Sequence, residues 1–340
     1  MSDAGPRARQ VCDGHAQADY LRQYLSSGKL FATVSADKPI EIASRRFGRY
    51  LLRSRLGAGG MAEVFLAEAL DEGGEPLHVA LKLMRKGTSV EAFHDEADLM
   101  GLLSHPNLVQ RLEIGEAFGR PFIAMELLVG GDLKALMEEL RRRRQGLPTS
   151  IATHVVLELL KGLAYFHQAK TRTGAPLGLV HGDVNPANVF FSAAGEIKLG
   201  DFGVAKSRLA NIGPGDGVAA GKLHYLSPEQ TRGEPLTPAS DLFSVGIILH
   251  ELVTGFHPFQ AGSSDTASVM NAIRAGKLSL PEDLDRALAQ ILRRSLHPGL
   301  GVRYRTAGEF AGELFAYTLD RGLLQSNAGV QAWLSRVLRL

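Results

Sequence analysis

Three residues with oxygen-bearing side chains lie close together in the second half of the 340-residue chain: Asp183, Asn188 and Asp201. The segments VFFS, AAGE and IKLG separate the last two and predict a strand, a turn and a second strand. Because a hairpin returns the chain to its starting edge, we expect Asn188 and Asp201 to lie side by side at one end of it. Converging side-chain oxygens favour a hard cation such as Mg²⁺, which commonly bridges phosphate oxygens.

Asp183 lies five residues before Asn188 and is expected to reach the same point from the preceding loop. There its carboxylate would accept the proton of a hydroxyl group or orient that hydroxyl. Any one of the three residues, taken alone, more often caps a helix or occupies a turn. The three together, with a Phe-Gly pair after Asp201 and a lysine upstream, indicate a functional site.

Lys82 lies in the strand-like segment VALKLM, whose apolar residues hold its ammonium group near an interior surface. A buried cation needs a partner of opposite charge. Glu96 is the natural partner, because its spacing from Phe93 and Met100 places it beside the apolar face of the next predicted helix. The alternative is an exposed lysine and an exposed glutamate, which fits an apolar strand less well.

Gly57, Gly59 and Gly60 lie between two predicted strands, in the segment RLGAGGMAEVF. Glycine lets backbone amides approach phosphate oxygens because no side chain intervenes. A tight hairpin turn explains the same pattern equally well. The segment differs from a Walker loop, since no Gly-Lys-Ser/Thr follows and the next element is a strand.

The elements that must position these residues change in type along the chain. Strands are predicted at 50–56, 62–70, 77–84 and 122–128. A helix is predicted at 90–103, and beyond Gly131 the pattern is mostly helical, with long apolar helices at 151–169 and 242–254. We therefore expect an α+β fold of two lobes, the first β-rich with one main helix and the second α-rich.

The predicted organisation has four parts. These are a partly helical leader at 1–46, a first lobe at 47–128, a second lobe at 129–322 and an amphipathic helix at 323–340. In the last of these, apolar residues recur at helical spacing from Val330 to Leu338. That helix is expected to dock onto its own domain, with docking of a partner through it or through the leader as the alternative.

Composition indicates a globular protein, since 45% of the residues are hydrophobic and 22% are charged. The formal net charge of +2 is too balanced to suggest a nucleic-acid partner. Cys12 is the single cysteine, so neither an internal disulfide nor a cysteine-based zinc site is expected. No stretch approaches the roughly 18 apolar residues of a membrane span, and a cytoplasmic location is expected.

The motifs of the chain occur in a recognisable order. Over about residues 47–320 the chain resembles the eukaryotic-like Ser/Thr protein kinase family, particularly its bacterial branch. This resemblance implies a two-lobed kinase fold, ATP as phosphoryl donor and a protein substrate. It is carried by GAGGMAEVF, VALK, Glu96, HPNLV, MELLVGG, HGDVNPAN, DFG, LSPE and DLFSVGIILHEL.

The resemblance also implies a role for each candidate residue. Lys82 would contact the α and β phosphates and pair with Glu96, and Asp183 would be the catalytic base. Asn188 and Asp201 would hold Mg²⁺ or Mn²⁺. Gly57, Gly59 and Gly60 would cover the phosphates, while the base and ribose would contact Leu56, Val64, Ala80, Met125, Glu126, Leu128, Asp132 and Phe190. Structural support would come from a Glu229–Arg303 ion pair and from Asp241 beneath the catalytic loop.

The sequence departs from the family pattern at the catalytic loop. Gly182 replaces an arginine that pairs with an activation-segment phosphate, and no Ser, Thr or Tyr lies between Arg208 and Tyr225. Activity is therefore expected not to require phosphorylation there. Asn185 replaces the lysine that neutralises the γ-phosphate, and Lys222 is its candidate substitute; an unrelated surface lysine is the alternative.

The leading hypothesis is an active Ser/Thr protein kinase. A pseudokinase that binds nucleotide or a partner is the alternative, and Asn185 is the feature that favours it. A small-molecule kinase is a third option, which the LSPEQ segment disfavours. Tyrosine specificity is disfavoured because the catalytic loop lacks an additional basic residue.

Overall fold

The first lobe is built around one antiparallel sheet. The computed structural model describes residues 40–60, 62–70, 74, 76–202, 220–260 and 265–338, and within them the sheet has the order β1-β2-β3-β4-β6-β5. Its strands are β1 (Ile40–Phe47), β2 (Tyr50–Ala58), β3 (Ala62–Leu70), β4 (Pro76–Met84), β5 (Arg111–Ala117) and β6 (Arg120–Glu126). All neighbouring strands pair antiparallel.

The strands β1 and β5 are not predicted by the sequence pattern. The strand β1 lies in the segment assigned to the leader, yet it pairs with β2 from Ile40 to Phe47. The strand β5 is only half-buried along its length. Both are edge strands of the sheet, and β5 has no fully buried face that would give it an alternating apolar pattern.

The main helix of the first lobe, α1 (Val90–Leu102), begins after Ser89, whose side chain accepts a hydrogen bond from the backbone N–H of Ala92. Phe93, Ala97 and Met100 recur at helical spacing and are buried. Glu96 lies on the same buried side. The helix therefore directs a carboxylate into the interior, as its sequence pattern predicts.

The second lobe is helical. Its helices are α2 (Leu133–Arg143), α3 (Thr149–His167), α4 (Pro228–Arg232), α5 (Pro238–Thr254), α6 (Thr266–Ala275), α7 (Arg286–Ser295), α8 (Ala307–Asp320) and α9 (Asn327–Leu338). Helix α5 is buried from Ala239 to Leu252, as its apolar sequence predicts. A side chain at Gly246 would meet Ser295 Oγ at 2.6 Å, so glycine lets α5 and α7 approach closely. The two-lobed α+β fold is thereby confirmed.

A short hairpin, β7 (Val189–Phe191) and β8 (Ile197–Leu199), lies where the two lobes meet. It pairs Val189 with Leu199, which confirms the predicted strand, turn and strand. The backbone N–H of Phe191 donates to Gly131 O and that of Leu199 donates to Asn107 O, each at 2.9 Å. These bonds anchor the hairpin to the segment that follows β6 and to the segment before β5.

Helix α9 packs on its own domain. Val330 is 0%, Trp333 9% and Leu334 3% exposed. The helix also covers the turn of the β7–β8 hairpin, because a side chain at Gly195 would overlap the Asn327 carbonyl oxygen. Docking of a partner through α9 stays a prediction. Among the helices of the described segments, none combines the length and apolar character needed to cross a membrane.

The contact at Gly195 predicts the effect of two matched substitutions. Gly195 (φ 77°) and Gly174 (φ 86°) are both left-handed, but an added side chain at Gly174 meets nothing within 4 Å. Gly174→Ala should cost about 1–2 kcal/mol of unfolding free energy from backbone strain alone. Gly195→Ala should cost about 1–3 kcal/mol more, because α9 must shift. Denaturant unfolding of both variants measures the difference, and equal losses would contradict the contact.

Candidate active site

A buried ion pair connects the sheet to helix α1. Lys82 Nζ on β4 lies 2.6 and 2.7 Å from the two carboxylate oxygens of Glu96 on α1. The side chains are only 14% and 7% exposed. Burial acts to lower the pKa of Lys82, but the neighbouring carboxylates of Glu96 and Asp201 outweigh it and raise this pKa above its ordinary value. Lys82 is therefore held as a cation, and the predicted pairing is confirmed.

Asp201 completes this arrangement from the second lobe. Its Oδ1 lies 3.4 Å from Lys82 Nζ, and its side chain is 40% exposed. Asp201 has a φ of 63°, a conformation that non-glycine residues rarely adopt and that often marks a functional position. The next residue, Phe202, is buried and stacks on Phe166 with ring centroids 5.6 Å apart. This packing fixes the backbone that aims Asp201 at the lysine.

Asn188 lies beside Asp201, as the hairpin predicts. The backbone N–H of Gly200, directly before Asp201, donates to Asn188 O at 2.9 Å. The side chain of Asn188 turns its Nδ2 towards Asp183, 3.1 Å from Oδ2 and 2.8 Å from the backbone oxygen. Asp183, Asn188, Asp201 and Lys82 therefore belong to one site, although they come from three separate parts of the chain.

The donor set of this site fits a hard cation. Asn188 directs its Nδ2 at Asp183, and the amide oxygen of Asn188 and the carboxylate of Asp201 are the predicted oxygen ligands. The described residues contain no group of three or more His, Cys, Asp or Glu side chains that could hold a metal. Two protein oxygens leave most positions of an octahedral ion to other ligands, which suits Mg²⁺ bound together with phosphate.

The loop that carries Asp183 is braced from below by Asp241 of α5. Its two carboxylate oxygens accept from the backbone N–H groups of His181 and Gly182, each at 2.8 Å, and Oδ2 also lies 2.8 Å from His167 Nε2. Burial raises the pKa of Asp241, but these hydrogen bonds and the two histidines lower it overall. Gly182 has a φ of 71°, so glycine adopts this braced conformation without strain. The predicted bracing by Asp241 is confirmed.

A small apolar cluster lies beneath the glycine segment and contains four of the eight residues predicted to contact the base and ribose. Leu56, Val64 and Ala80 are buried together, with Met125 packed against them. The glycine segment is a tight hairpin in which the Gly59 N–H donates to Ala62 O at 2.8 Å, while Gly57 lies opposite Val64. Gly59 and Gly60 are exposed. The glycine segment can therefore be both a hairpin turn and the predicted cover over the phosphates.

The remaining predicted nucleotide contacts are Glu126, Leu128, Asp132 and Phe190. The Glu126 N–H donates to Gln110 O at 3.1 Å, and contact between the backbone of Glu126 and a base edge stays a prediction. Leu128 and Phe190 are buried in the large core. Asp132 is 3% exposed and its Oδ1 caps α2 by accepting from the Ala135 N–H at 2.8 Å. A ribose contact by Asp132 would thus share the carboxylate with a helix cap.

Two further predictions concern the region after Asp201. Glu229 and Arg303 form the predicted ion pair, with guanidinium nitrogens 2.9 and 2.8 Å from the two carboxylate oxygens and both side chains fully buried. The backbone of Lys222 belongs to a 3₁₀ turn at Ala220–Tyr225. Its side chain and residues 203–219 lie outside the described part, so the role predicted for Lys222 stays a prediction.

The structure also shows contacts that the sequence did not predict. Lys198 Nζ on β8 lies 3.0 Å from Glu126 Oε1, linking the hairpin to the end of β6. Gln230 Nε2 donates to the Gly182 carbonyl at 2.8 Å, linking α4 to the catalytic loop. The sequence signal for the Lys198–Glu126 contact is a lysine in an otherwise apolar strand, IKL. The same signal identified Lys82.

The sequence of this chain is similar to the sequences of known proteins. A model of the protein kinase domain matches residues 50–306. The tyrosine-protein kinase MasK of Myxococcus xanthus is 35% identical, over 79% of this chain and 43% of its own. The probable serine/threonine-protein kinase PknB of Lactococcus lactis is 31% identical, over 83% and 44%. The serine/threonine-protein kinase PknA of Mycobacterium tuberculosis is 31% identical, over 81% and 62%. The chain thus spans less than two thirds of each of these relatives.

Proposed function

Because the chain belongs to the protein kinase family, we propose that it transfers the γ-phosphoryl group of ATP to serine or threonine hydroxyls of proteins. The observation that carries this proposal is the meeting of Lys82, Glu96 and Asp201 at 2.6–3.4 Å, with Asn188 and Asp183 joined at 3.1 Å beside them. This arrangement combines a fixed cation, oxygen ligands and a carboxylate acceptor, which phosphoryl transfer needs.

Each residue of the candidate site has a defined part in this proposal. Lys82, held charged by Glu96, binds the α and β phosphates. Asp183 orients the acceptor hydroxyl and accepts its proton. Asn188 and Asp201 hold Mg²⁺ or Mn²⁺, which when bound neutralises phosphate charge. The apolar cluster around Leu56, Val64, Ala80 and Met125 encloses the base, with Leu128 and Phe190 beyond it and Gly57, Gly59 and Gly60 over the phosphates.

The pseudokinase alternative rests on Asn185 alone. The geometry of the other residues favours an enzyme, since a protein that only binds nucleotide has no need of a carboxylate placed as Asp183 is. We keep Lys222 as the proposed source of the missing γ-phosphate cation. A cytoplasmic location is proposed because ATP is the donor. Docking of a partner through α9 or the leader is likewise proposed.

Replacing Lys82 tests the proposed function. Lys82→Met removes the cation that binds phosphate, so transfer of label from ATP should fall about 10²- to 10³-fold. The measurement is incorporation of labelled phosphate into a generic protein substrate with Mg²⁺ or Mn²⁺. Lys134→Met is the matched control, because Lys134 is half exposed on α2. Unchanged transfer in Lys82→Met would exclude the proposed site.

Phosphoamino-acid analysis of the same product identifies the acceptor. Label on serine and threonine is the expected outcome. Label on tyrosine would contradict the proposed specificity. It would instead match the specificity stated in the name of the relative MasK, a tyrosine-protein kinase.

A further inference from the structure

Both ends of the Asn185 side-chain amide form hydrogen bonds inside the catalytic loop. Nδ2 lies 3.0 Å from Asp183 Oδ1 and 3.0 Å from the Asp183 backbone oxygen. Oδ1 accepts from the Ala187 N–H at 3.0 Å and so caps the 3₁₀ turn Pro186–Asn188. Asn185 is 3% exposed. This side chain therefore points into the loop, and its donor is committed to the residue two positions earlier.

The carboxylate of Asp183 is thereby held by amides on both of its oxygens. Asn185 Nδ2 donates to Oδ1 at 3.0 Å, and Asn188 Nδ2 donates to Oδ2 at 3.1 Å. A single hydrogen bond would leave the carboxylate able to rotate about its terminal bond, where no staggered minimum holds it. Two donors on opposite oxygens fix both its plane and its position. The base is oriented before any substrate arrives.

We propose that Asn185 is a positioning residue for phosphoryl transfer, which holds the Asp183 carboxylate in the orientation that accepts the hydroxyl proton. This inference rests on the proposed function. On this inference Asn185 is more than a lost positive charge. The lysine of the family pattern would contact a phosphate, whereas Asn185 contacts the catalytic base, Asp183. Small errors in the placement of a reacting group can cost about 10²-fold in rate.

The competing explanation is that Asn185 only caps the 3₁₀ turn. Asn185→Asp separates the two, because aspartate has the same shape and keeps an oxygen acceptor for the Ala187 N–H but loses the donor. It also places a second carboxylate about 3 Å from Asp183. Like charges so close repel each other, so the Asp183 carboxylate should leave the orientation that it has in wild type.

The experiment compares steady-state kinetics of wild type, Asn185→Asp and Asn271→Asp. Asn271 is exposed on α6 and provides the same charge change away from the loop. We expect Asn185→Asp to lower kcat about 10- to 100-fold with KM for ATP little changed. Unaltered kcat, or a loss of kcat accompanied by an equally large rise in KM for ATP, would overturn the inference and leave only the cap.

An activity-independent measurement distinguishes failure of this inference from failure of the proposed function. In wild type the proton NMR signal of the Asn185 side-chain amide should lie downfield, as for a hydrogen-bonded amide, and it should move upfield in Asp183→Ala, which removes the acceptor. An amide signal that does not respond to the loss of Asp183 overturns the inference. A signal that responds, in a protein without Asp183-dependent transfer, would instead overturn the proposed function, and the positioning role with it.

Discussion

Asp183→Asn is expected to lower phosphoryl transfer by about 10²- to 10⁴-fold, which is the usual contribution of a positioned general base. Asparagine has the same shape, so the donors of Asn185 and Asn188 still have one oxygen to bind. Because the proposed base acts on the acceptor hydroxyl and not on the nucleotide, the Kd for ATP should change little. Label transfer and nucleotide titration measure the two quantities on the same preparation.

The matched control for this change is Asp283→Asn, an exposed aspartate in the segment between α6 and α7. It should retain full transfer. If Asp183→Asn transferred phosphate at the wild-type rate, Asp183 would not be the base. If wild type and variant were equally inactive while both bound ATP, the pseudokinase alternative would replace the proposed function.

Arg303→Met is expected to destabilise the fold by about 3–5 kcal/mol, the usual effect of removing one partner of a buried ion pair. Arg303 and Glu229 are both fully buried, and Arg303 Nε also donates to the His297 carbonyl at 2.6 Å. Methionine fills much of the volume but leaves Glu229 without its cation. Chemical unfolding measures the loss, and Arg321→Met, at an exposed pair with Asp285, should leave the unfolding midpoint nearly unchanged.

The same variant has a characteristic pH dependence. Burial raises the pKa of Glu229, but the Arg303 guanidinium and its hydrogen bonds bring that pKa below its ordinary value. In wild type the ion pair stabilises the fold at pH values above the pKa of Glu229 in the unfolded chain. This stabilisation is lost as the pH falls through the lower pKa of Glu229 in the folded protein. Without Arg303 only the hydrogen bonds with Ser240 and the backbone oppose the effect of burial, so Glu229 protonates more readily. The stability difference between the two proteins should therefore shrink as the pH is lowered towards about 4; a constant difference would contradict this account.

Much of the fold was predictable from local patterns. Helix α1 and the β7–β8 hairpin occur within one or two residues of their predicted bounds, because each buries one face and so carries a clear apolar period. Strands β1 and β5, at the two edges of the sheet, were missed, and β5 lacks that period because it buries no face completely. The Lys82–Glu96 pair was predicted correctly, since an isolated charge in an apolar element requires a partner nearby.

The replacement of a lysine by Asn185 shows where sequence reasoning stopped. From residue types alone, Asn185 is a lost charge. Only the side-chain conformation shows its donor directed at Asp183 and its acceptor at Ala187. Gly182 is similar: its type suggests a missing arginine, whereas its φ of 71° and its bonds to Asp241 and Gln230 show a backbone position held from two sides.

The sequence by itself determined the family, the two-lobed architecture and the identity of the reactive groups, because motif order, apolar periodicity and buried charge are properties of residue types and their spacing. The tertiary structure alone decided how those groups are held. Lys198 meets Glu126 across 72 positions and Gln230 meets Gly182 across 48. Contacts between distant segments depend on packing of the whole domain, and the direction of a side chain such as Asn185 depends on which donors and acceptors that packing places around it.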